Sequence, residues 1–245
     1  MLPTIEMPPS PLRIAFDNRT NRRTLPGVWI ANDKLHDLLS RRRPFLTAKR
    51  LFTNQTFRDI YRTDTLDVDQ RLKITSLTFL FTDLKGSTQL YNRVGDLVAF
   101  DLVREHFRVL SEIVAAEAGA VVKTIGDAVM ATFSTPDRAL AAALRMRDAV
   151  ERLGKRHDDL SLKVGIHEGP CLAVTLNDRQ DYFGQTVNIA ARLQGLAPSR
   201  AIFASSPVVD HPQSLPVLAR SGIKPLSGRY ALPGVGGELA VYEIP

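Results

Sequence analysis

From Ser76 onward the apolar residues fall in an order that few folds can accommodate: strand, long helix, strand, strand, helix, strand. Leu77-Thr78-Phe79-Leu80-Phe81 is a short, nearly continuous apolar run of the kind a buried strand needs. Leu90, Val94, Leu97, Phe100, Val103, Phe107, Leu110 and Val114 follow at steps of three or four, the spacing of one long amphipathic helix, and Gly119 closes it. Val121–Ile125 and Ala128–Phe133 read as strands flanking a two-residue turn, Gly126-Asp127. A second helix opens at Ser134-Thr135-Pro136, with a capping hydroxyl and a proline in its first turn, and runs through Ala139–Leu153 to Gly154. Leu160–Ile166 is the fourth strand. This β-α-β-β-α-β order predicts an α+β, ferredoxin-like core: an antiparallel sheet with two helices on one face. Pro170–Leu176 reads as a further strand, Gln185–Leu196 as a further helix, and residues 201–204 and 239–244 as the last strands.

Composition narrows the class. Of 245 residues, 44% are apolar and 24% charged, a globular balance that sets aside disordered and fibrous chains. Cys171 stands alone, which excludes an internal disulfide framework, and no Cys/His cluster has zinc spacing. No apolar run reaches the roughly 18 to 20 residues of a spanning helix, and the opening MLPTIEMPPSPLR lacks the order of a signal peptide. A cytoplasmic protein is therefore expected, with the Asn18-Arg19-Thr20 and Asn54-Gln55-Thr56 sequons read as chance tripeptides.

The net charge of +6 sits at the front: residues 1–75 hold 14 Lys/Arg against 8 Asp/Glu, and the remainder holds 18 of each. Such asymmetry suits nucleic acid, anionic lipid or an acidic partner. No nucleic-acid motif accompanies it, so Arg41-Arg42-Arg43 is read as a solvated face or a contact with the rest of a longer chain, and nucleic acid is not expected as a partner. The proline-rich first eleven residues read as a disordered lead-in, Leu12–Phe16 and Val28–Ile30 as short strands, Asp33–Leu39 as a short helix, and residues 45–75 as an irregular connector. Two parts are expected: a basic segment, 1–75, read either as packing on the following domain or as the remnant of a regulatory domain, and a folded domain, 76–245.

The chemistry concentrates where strands end. Asp83 closes the first strand and Asp127 sits in the hairpin turn, so neighbouring strands would carry both carboxylates to one edge. Taken singly, Asp83 reads as a helix cap and Asp127 as a turn former. Taken together they suit magnesium, which takes one or two carboxylates plus substrate phosphates. Between them Gly86-Ser87-Thr88 opens a helix, whose free N–H groups can cradle phosphate. Lys123 is a lone charge in an apolar strand, either a snorkelling edge residue or a donor to a base or phosphate. Asn188 and Arg192, four apart, share a helix face. They read either as solvated surface or as a sugar contact and a stabiliser of phosphoryl charge. Asp181 is by itself an ordinary loop acid.

Four stretches, taken together, resemble the catalytic domain of the class III nucleotidyl cyclases, of the bacterial adenylate cyclase type. They are Leu80-Phe81-Thr82-Asp83-Leu84-Lys85-Gly86-Ser87-Thr88, Lys123-Thr124-Ile125-Gly126-Asp127-Ala128, Val164-Gly165-Ile166-His167-Glu168-Gly169-Pro170 and Asp181-Tyr182-Phe183-Gly184-Gln185-Thr186-Val187-Asn188-Ile189-Ala190-Ala191-Arg192. The resemblance covers residues 76–245.

The resemblance implies a phosphorus–oxygen lyase that converts ATP to 3′,5′-cyclic AMP and pyrophosphate. Asp83, Asp127 and the carbonyl of Leu84 would hold two Mg²⁺ or Mn²⁺ ions, one lowering the pKa of the ribose 3′-hydroxyl and one binding the triphosphate. Gly86, Ser87 and Thr88 would bind phosphate oxygens, Asn188 would orient the ribose, and Arg192 would stabilise charge at the α-phosphate. Lys123 and Asp181 complement adenine, as donor to a ring nitrogen and acceptor from the amine. The implied site lies between two subunits, one giving Asp83 and Asp127 and the other Lys123, Asp181, Asn188 and Arg192. A symmetric homodimer would then hold two complete sites. One departure stands out. Leu232-Pro233-Gly234 has proline where the family usually carries a phosphate-contacting basic residue. With it goes the alternative of a non-catalytic nucleotide-binding or dimerisation module that regulates a partner.

Overall fold

The run that begins at Leu77 belongs to a longer strand, β1 (Leu72–Lys85), at the middle of an eight-stranded sheet. The computed structural model describes residues 17–19, 46–61, 71–157, 161–176, 179–198 and 200–245. The strands expected at 12–16 and 28–30 and the helix expected at 33–39 lie outside them. Leu46–Pro245 folds as one unit. Two short helices, α1 (Ala48–Phe52) and α2 (Gln55–Ile60), precede β1, so the stretch expected to be an irregular connector carries regular structure. Thr47 and Asn54 start them by accepting the amides of Arg50 and Phe57.

After β1 come α3 (Ser87–Val94), α4 (Asp96–Ala116), the hairpin β2 (Gly119–Ile125) and β3 (Ala128–Phe133), then α5 (Pro136–His157) and β4 (Ser161–Leu176). The chain continues through β5 (Arg179–Phe183), α6 (Gln185–Leu196), β6 (Ile202–Ser205), α7 (Ser206–Val209), α8 (Leu215–Ser221), β7 (Leu226–Ala231) and β8 (Glu238–Ile244). The sheet order is β2-β3-β1-β4-β6-β8-β7, with β5 paired to β4 off this path. Its first four strands are the expected ferredoxin-like core, all antiparallel, whereas β4 and β6 run parallel.

Alternation along β1 assigns its two faces. Leu80 and Leu84 enter a core with Leu110 and Val114 of α4 and Leu140, Ala143 and Met146 of α5. Leu77, Phe79 and Phe81 point the other way, to Phe52 of α1, Tyr182 of β5 and Ala190 of α6. Phe79 is wholly buried, and side chains of that size contribute about 1.5–3 kcal/mol each by leaving water. The two core helices thus cover one face, as expected, and the additional helix covers the other.

Two local readings are corrected. The long helix expected from Leu90 to Val114 is two helices broken at Gly95, whose φ of 80° lies where a side chain is strained. The break rotates the pattern: Leu97 is 85% exposed and Phe100 59%. The strands expected at 160–166 and 170–176 are one, β4. Its pairing with β1 shifts between Ile74 and Leu77, opposite Pro170, where a missing N–H is tolerated.

Candidate active site

β1 and β3 pair from Thr78↔Phe133 to Phe81↔Met130, and the Val129 amide donates to Thr82 Oγ1 at 3.1 Å. Extended past its last pair, this register would set Asp83 beside Ala128 and Leu84 beside Asp127, at one end of neighbouring central strands. Asp127 follows Gly126 (φ 62°) in the turn that closes the Ile125↔Ala128 pair. Both aspartates are half-buried. The cross-strand neighbour of Asp83 is Lys163, but its ammonium turns to the carbonyl of Gly195 at 3.3 Å. Among the described residues no cation is ion-paired with either carboxylate, and no group of three His, Cys, Asp or Glu gathers anywhere. Two carboxylates beside a backbone carbonyl fit a hard cation that completes its shell with substrate oxygens, and do not fit a closed zinc site.

Near Asp127 lies His106 of α4, buried, with both ring nitrogens unpartnered among the described residues. Burial pushes its pKa down to about 4, against the opposing pull of the Asp127 carboxylate. A neutral imidazole there adds no positive charge beside the Asp127 carboxylate. Gly86, with φ 92°, starts α3 without a side-chain cap, so the first-turn amides keep their donors for another acceptor.

Lys123 and Asp181 come together: Nζ lies 2.5 Å from Oδ2. The second carboxylate oxygen of Asp181 accepts from the Tyr182 amide at 2.9 Å. The two side chains stand on strands that are not paired with each other, β2 with β3 and β5 with β4. The register of β2 on β3 slips between Val121 and Lys123, a bulge that leaves Val122 as the extra residue.

Asn188 and Arg192 lie one turn apart on α6, the first exposed and the second half-buried. The position of α6 is set by a close approach to β4: a Cβ on Gly165 would fall 2.2 Å from the Gln194 amide nitrogen and 2.4 Å from the Ala190 carbonyl. The Arg192 guanidinium lies against Gly234, 3.4 Å from where a Cβ would stand. Gly234 (φ 71°) is the third residue of Leu232-Pro233-Gly234-Val235, closed by a Val235 amide bond to the Leu232 carbonyl at 3.0 Å. Proline second and a positive φ third is type II turn chemistry. Pro233 is therefore a neighbour of Arg192. Among the described residues no hydrogen bond or ion pair joins Asp83 and Asp127 to Asn188 and Arg192.

The site has neighbours that sequence reasoning missed. Arg58 of α2 donates to Gln180 and to the carbonyl of Val122, and Gln55 accepts from the Val121 amide. No motif marks either residue. A cleft of about 810 Å³ lined by Lys49, Arg50, Thr53, Thr135 and Arg138, among others, shares no residue with the site set.

Comparison with known proteins gives this arrangement a family. A family model described as the adenylate and guanylate cyclase catalytic domain matches residues 70–234, and one described as a family of unknown function matches residues 1–59. An uncharacterised protein of Mycobacterium tuberculosis is 33% identical over 164 residues, 67% of this chain and 40% of that protein. An adenylate cyclase of Streptomyces griseus is 34% identical over 136 residues, 55% of this chain and 31% of its own length. The chain thus spans less than half the length of either relative. Among solved structures, the adenylyl cyclase CyaB of P. aeruginosa superposes with a TM-score of 0.64 at 21% identity, over 72% of this chain and 96% of that one. The catalytic core of a rhodopsin-guanylyl cyclase with converted specificity, in complex with ATPαS, gives 0.62 at 20%, over 72% and 98%. These structural likenesses speak for the fold, and the names on both sides of the comparison include adenylate and guanylate cyclases. With the family model matching well over half of its length, the chain belongs to the class III nucleotidyl cyclases through their catalytic domain.

Proposed function

We propose that this chain is an adenylate cyclase, converting ATP to 3′,5′-cyclic AMP and pyrophosphate at the interface of a homodimer. The observation that carries the adenine reading is the Lys123–Asp181 pair, 2.5 Å apart and half open to solvent on the lysine side. With Lys123 toward the ring nitrogen and Asp181 toward the exocyclic amine, the pair donates to N1 and accepts from the N6 amine of adenine, whereas guanine in the same pose would set its N1–H against the ammonium and its O6 against the carboxylate. The half-buried carboxylates Asp83 and Asp127, with the Leu84 carbonyl, suit two Mg²⁺ or Mn²⁺ ions. Bound there, the ions would acidify the ribose 3′-hydroxyl and neutralise the triphosphate.

The chain's own groups do the rest. Amides of Gly86, Ser87 and Thr88 hold phosphate oxygens at the start of α3. Asn188 hydrogen-bonds the ribose and fixes the direction of the 3′-hydroxyl toward the α-phosphorus. Arg192 places its guanidinium on the oxygens where charge accumulates as pyrophosphate departs. On this reading the residues divide between two subunits, Asp83 and Asp127 from one and Lys123, Asp181, Asn188 and Arg192 from the other, and among the described residues no hydrogen bond or ion pair joins the two sets.

The test is cyclic nucleotide production by the purified protein, with ATP and GTP in parallel, under Mg²⁺ and then Mn²⁺. Cyclic AMP from ATP alone is the expected outcome. A dimer that binds ATP and yields no product would favour a regulatory module instead, the reading suggested by Pro233 beside Arg192.

A further inference from the structure

The strands that carry Lys123 and Asp181 meet without sharing a ladder, so something other than sheet pairing must set their spacing. Arg58 sits between them. Its Nη1 donates to Gln180 Oε1 at 3.0 Å, and its Nη2 to the Gln180 carbonyl at 3.0 Å and the Val122 carbonyl at 3.5 Å. Gln180 immediately precedes Asp181, and Val122 immediately precedes Lys123. The Val122 carbonyl belongs to the bulge residue of β2, where the regular ladder is interrupted. The rest of the helix pair repeats the pattern. Gln55 Oε1 accepts the Val121 amide at 2.7 Å, Tyr182 Oη donates to the Phe52 carbonyl at 3.2 Å, and the Arg58 guanidinium lies 5.9 Å from the Tyr182 ring centre. Residues on both sides of Asp181, and the two before Lys123, are thus tied to α1 and α2.

From this we infer that Arg58 is a positioning residue for base recognition: its guanidinium clamps β2 to β5 and so sets the separation of Lys123 and Asp181. The inference rests on the reading of that pair as the base-binding groups. It makes the α1–α2 segment, which ends ahead of the catalytic core, a working part of the nucleotide site. A charged fork bonding two carbonyls and an amide oxygen resists displacement in a way a single neutral bond does not.

The experiment compares the full chain with Arg58→Ala and Arg58→Lys, alone and combined with Asp181→Ala. The first readout needs no nucleotide: amide hydrogen exchange in residues 121–124 and 179–182 should speed up together in Arg58→Ala. Unchanged exchange in either strand overturns the clamp. The second readout is KM for ATP and GTP. In Arg58→Ala, KM for ATP should rise about tenfold with kcat within about threefold, and the ATP preference over GTP should narrow by a similar factor, the scale of one net hydrogen bond to a charged group. Arg58→Lys should recover part of it. In the Asp181→Ala background Arg58→Ala should change selectivity no further, since a residue acting through the pair is silent once the pair is gone. Equal losses of kcat and kcat/KM, or a selectivity effect that persists without Asp181, overturn the inference. Failure of the adenylate reading shows separately, as an unmodified protein that prefers GTP or makes no product; the exchange arm still decides the clamp.

Discussion

Adding one methyl group at Gly165 should disable the protein at a distance. The new Cβ would stand 2.2 Å from the Gln194 nitrogen and 2.4 Å from the Ala190 oxygen, both main-chain atoms of α6 that no rotamer change can move. Restoring an ordinary contact of roughly 3.5 Å requires α6 to retreat from β4 by about 1 Å. Overpacking of this kind costs about 1–3 kcal/mol, so thermal unfolding of the chain should fall by roughly 2–12 °C. The larger effect is on chemistry, because Asn188 and Arg192 ride on the displaced helix, and a misplacement of about 1 Å costs on the order of 10² in rate. The assay is cyclic AMP formation by Gly165→Ala beside its melting curve, with Gly195→Ala on the same helix as control. A Cβ on Gly195 meets nothing within 4 Å and should leave both measurements near wild type. Wild-type turnover in Gly165→Ala, with its fold intact, would refute the argument that β4 sets the reach of α6.

Other perturbations test separate parts. Asp83→Ala should lower turnover by on the order of 10³ or more while circular dichroism stays unchanged. Retained activity would remove Asp83 from the metal site. Pro233→Lys should keep the turn and raise turnover, by up to about 10² if a phosphate contact is all that is missing beside Arg192. No gain would show that the missing cation does not limit the rate. His167 is buried with Nδ1 2.6 Å from Ser205 Oγ, and burial pushes its pKa down to about 4. The unfolded chain then binds the extra proton between about pH 6.5 and 4, so stability is full above that window and declines as pH falls through it, by up to about 3 kcal/mol. Urea unfolding at pH 7 and 5 should show a smaller difference in His167→Gln than in wild type.

What could be read in advance depended on how local each signal was. The central strands, the Gly126-Asp127 hairpin and α6 declare themselves by period and by turn residues that act within a few positions. Gly95 only weakens an otherwise helical period without marking its end, so the period runs on through Leu97 and Phe100, which the structure exposes. The segment Arg179-Gln180-Asp181-Tyr182-Phe183 hides a strand, since its apolar residues are few and its partner, β4, supplies the reason it is extended. Among the candidate site residues, the placing of Asp83 near a strand end and of Asp127 in a turn is legible in the sequence, whereas the union of Lys123 with Asp181 spans 58 positions. The part played by Arg58 lay deeper still, because its bonds reach main-chain atoms 64 and 122 residues away and no pattern of side chains can announce them.

On the proposed reading, the bond between Lys123 and Asp181 must part before either group can serve a base. With the lysine side chain 42% exposed, such a pair is worth no more than about 1 kcal/mol, enough to hold the two groups in register and too little to bar entry. A base that presents an acceptor to Lys123 and a donor to Asp181 would replace what each group gives up; one that presents them the other way round in the same pose would part the two charges and compensate neither. On that reading the pair would act as a latch, drawing selectivity from the bond that it breaks as well as from the bonds that it makes.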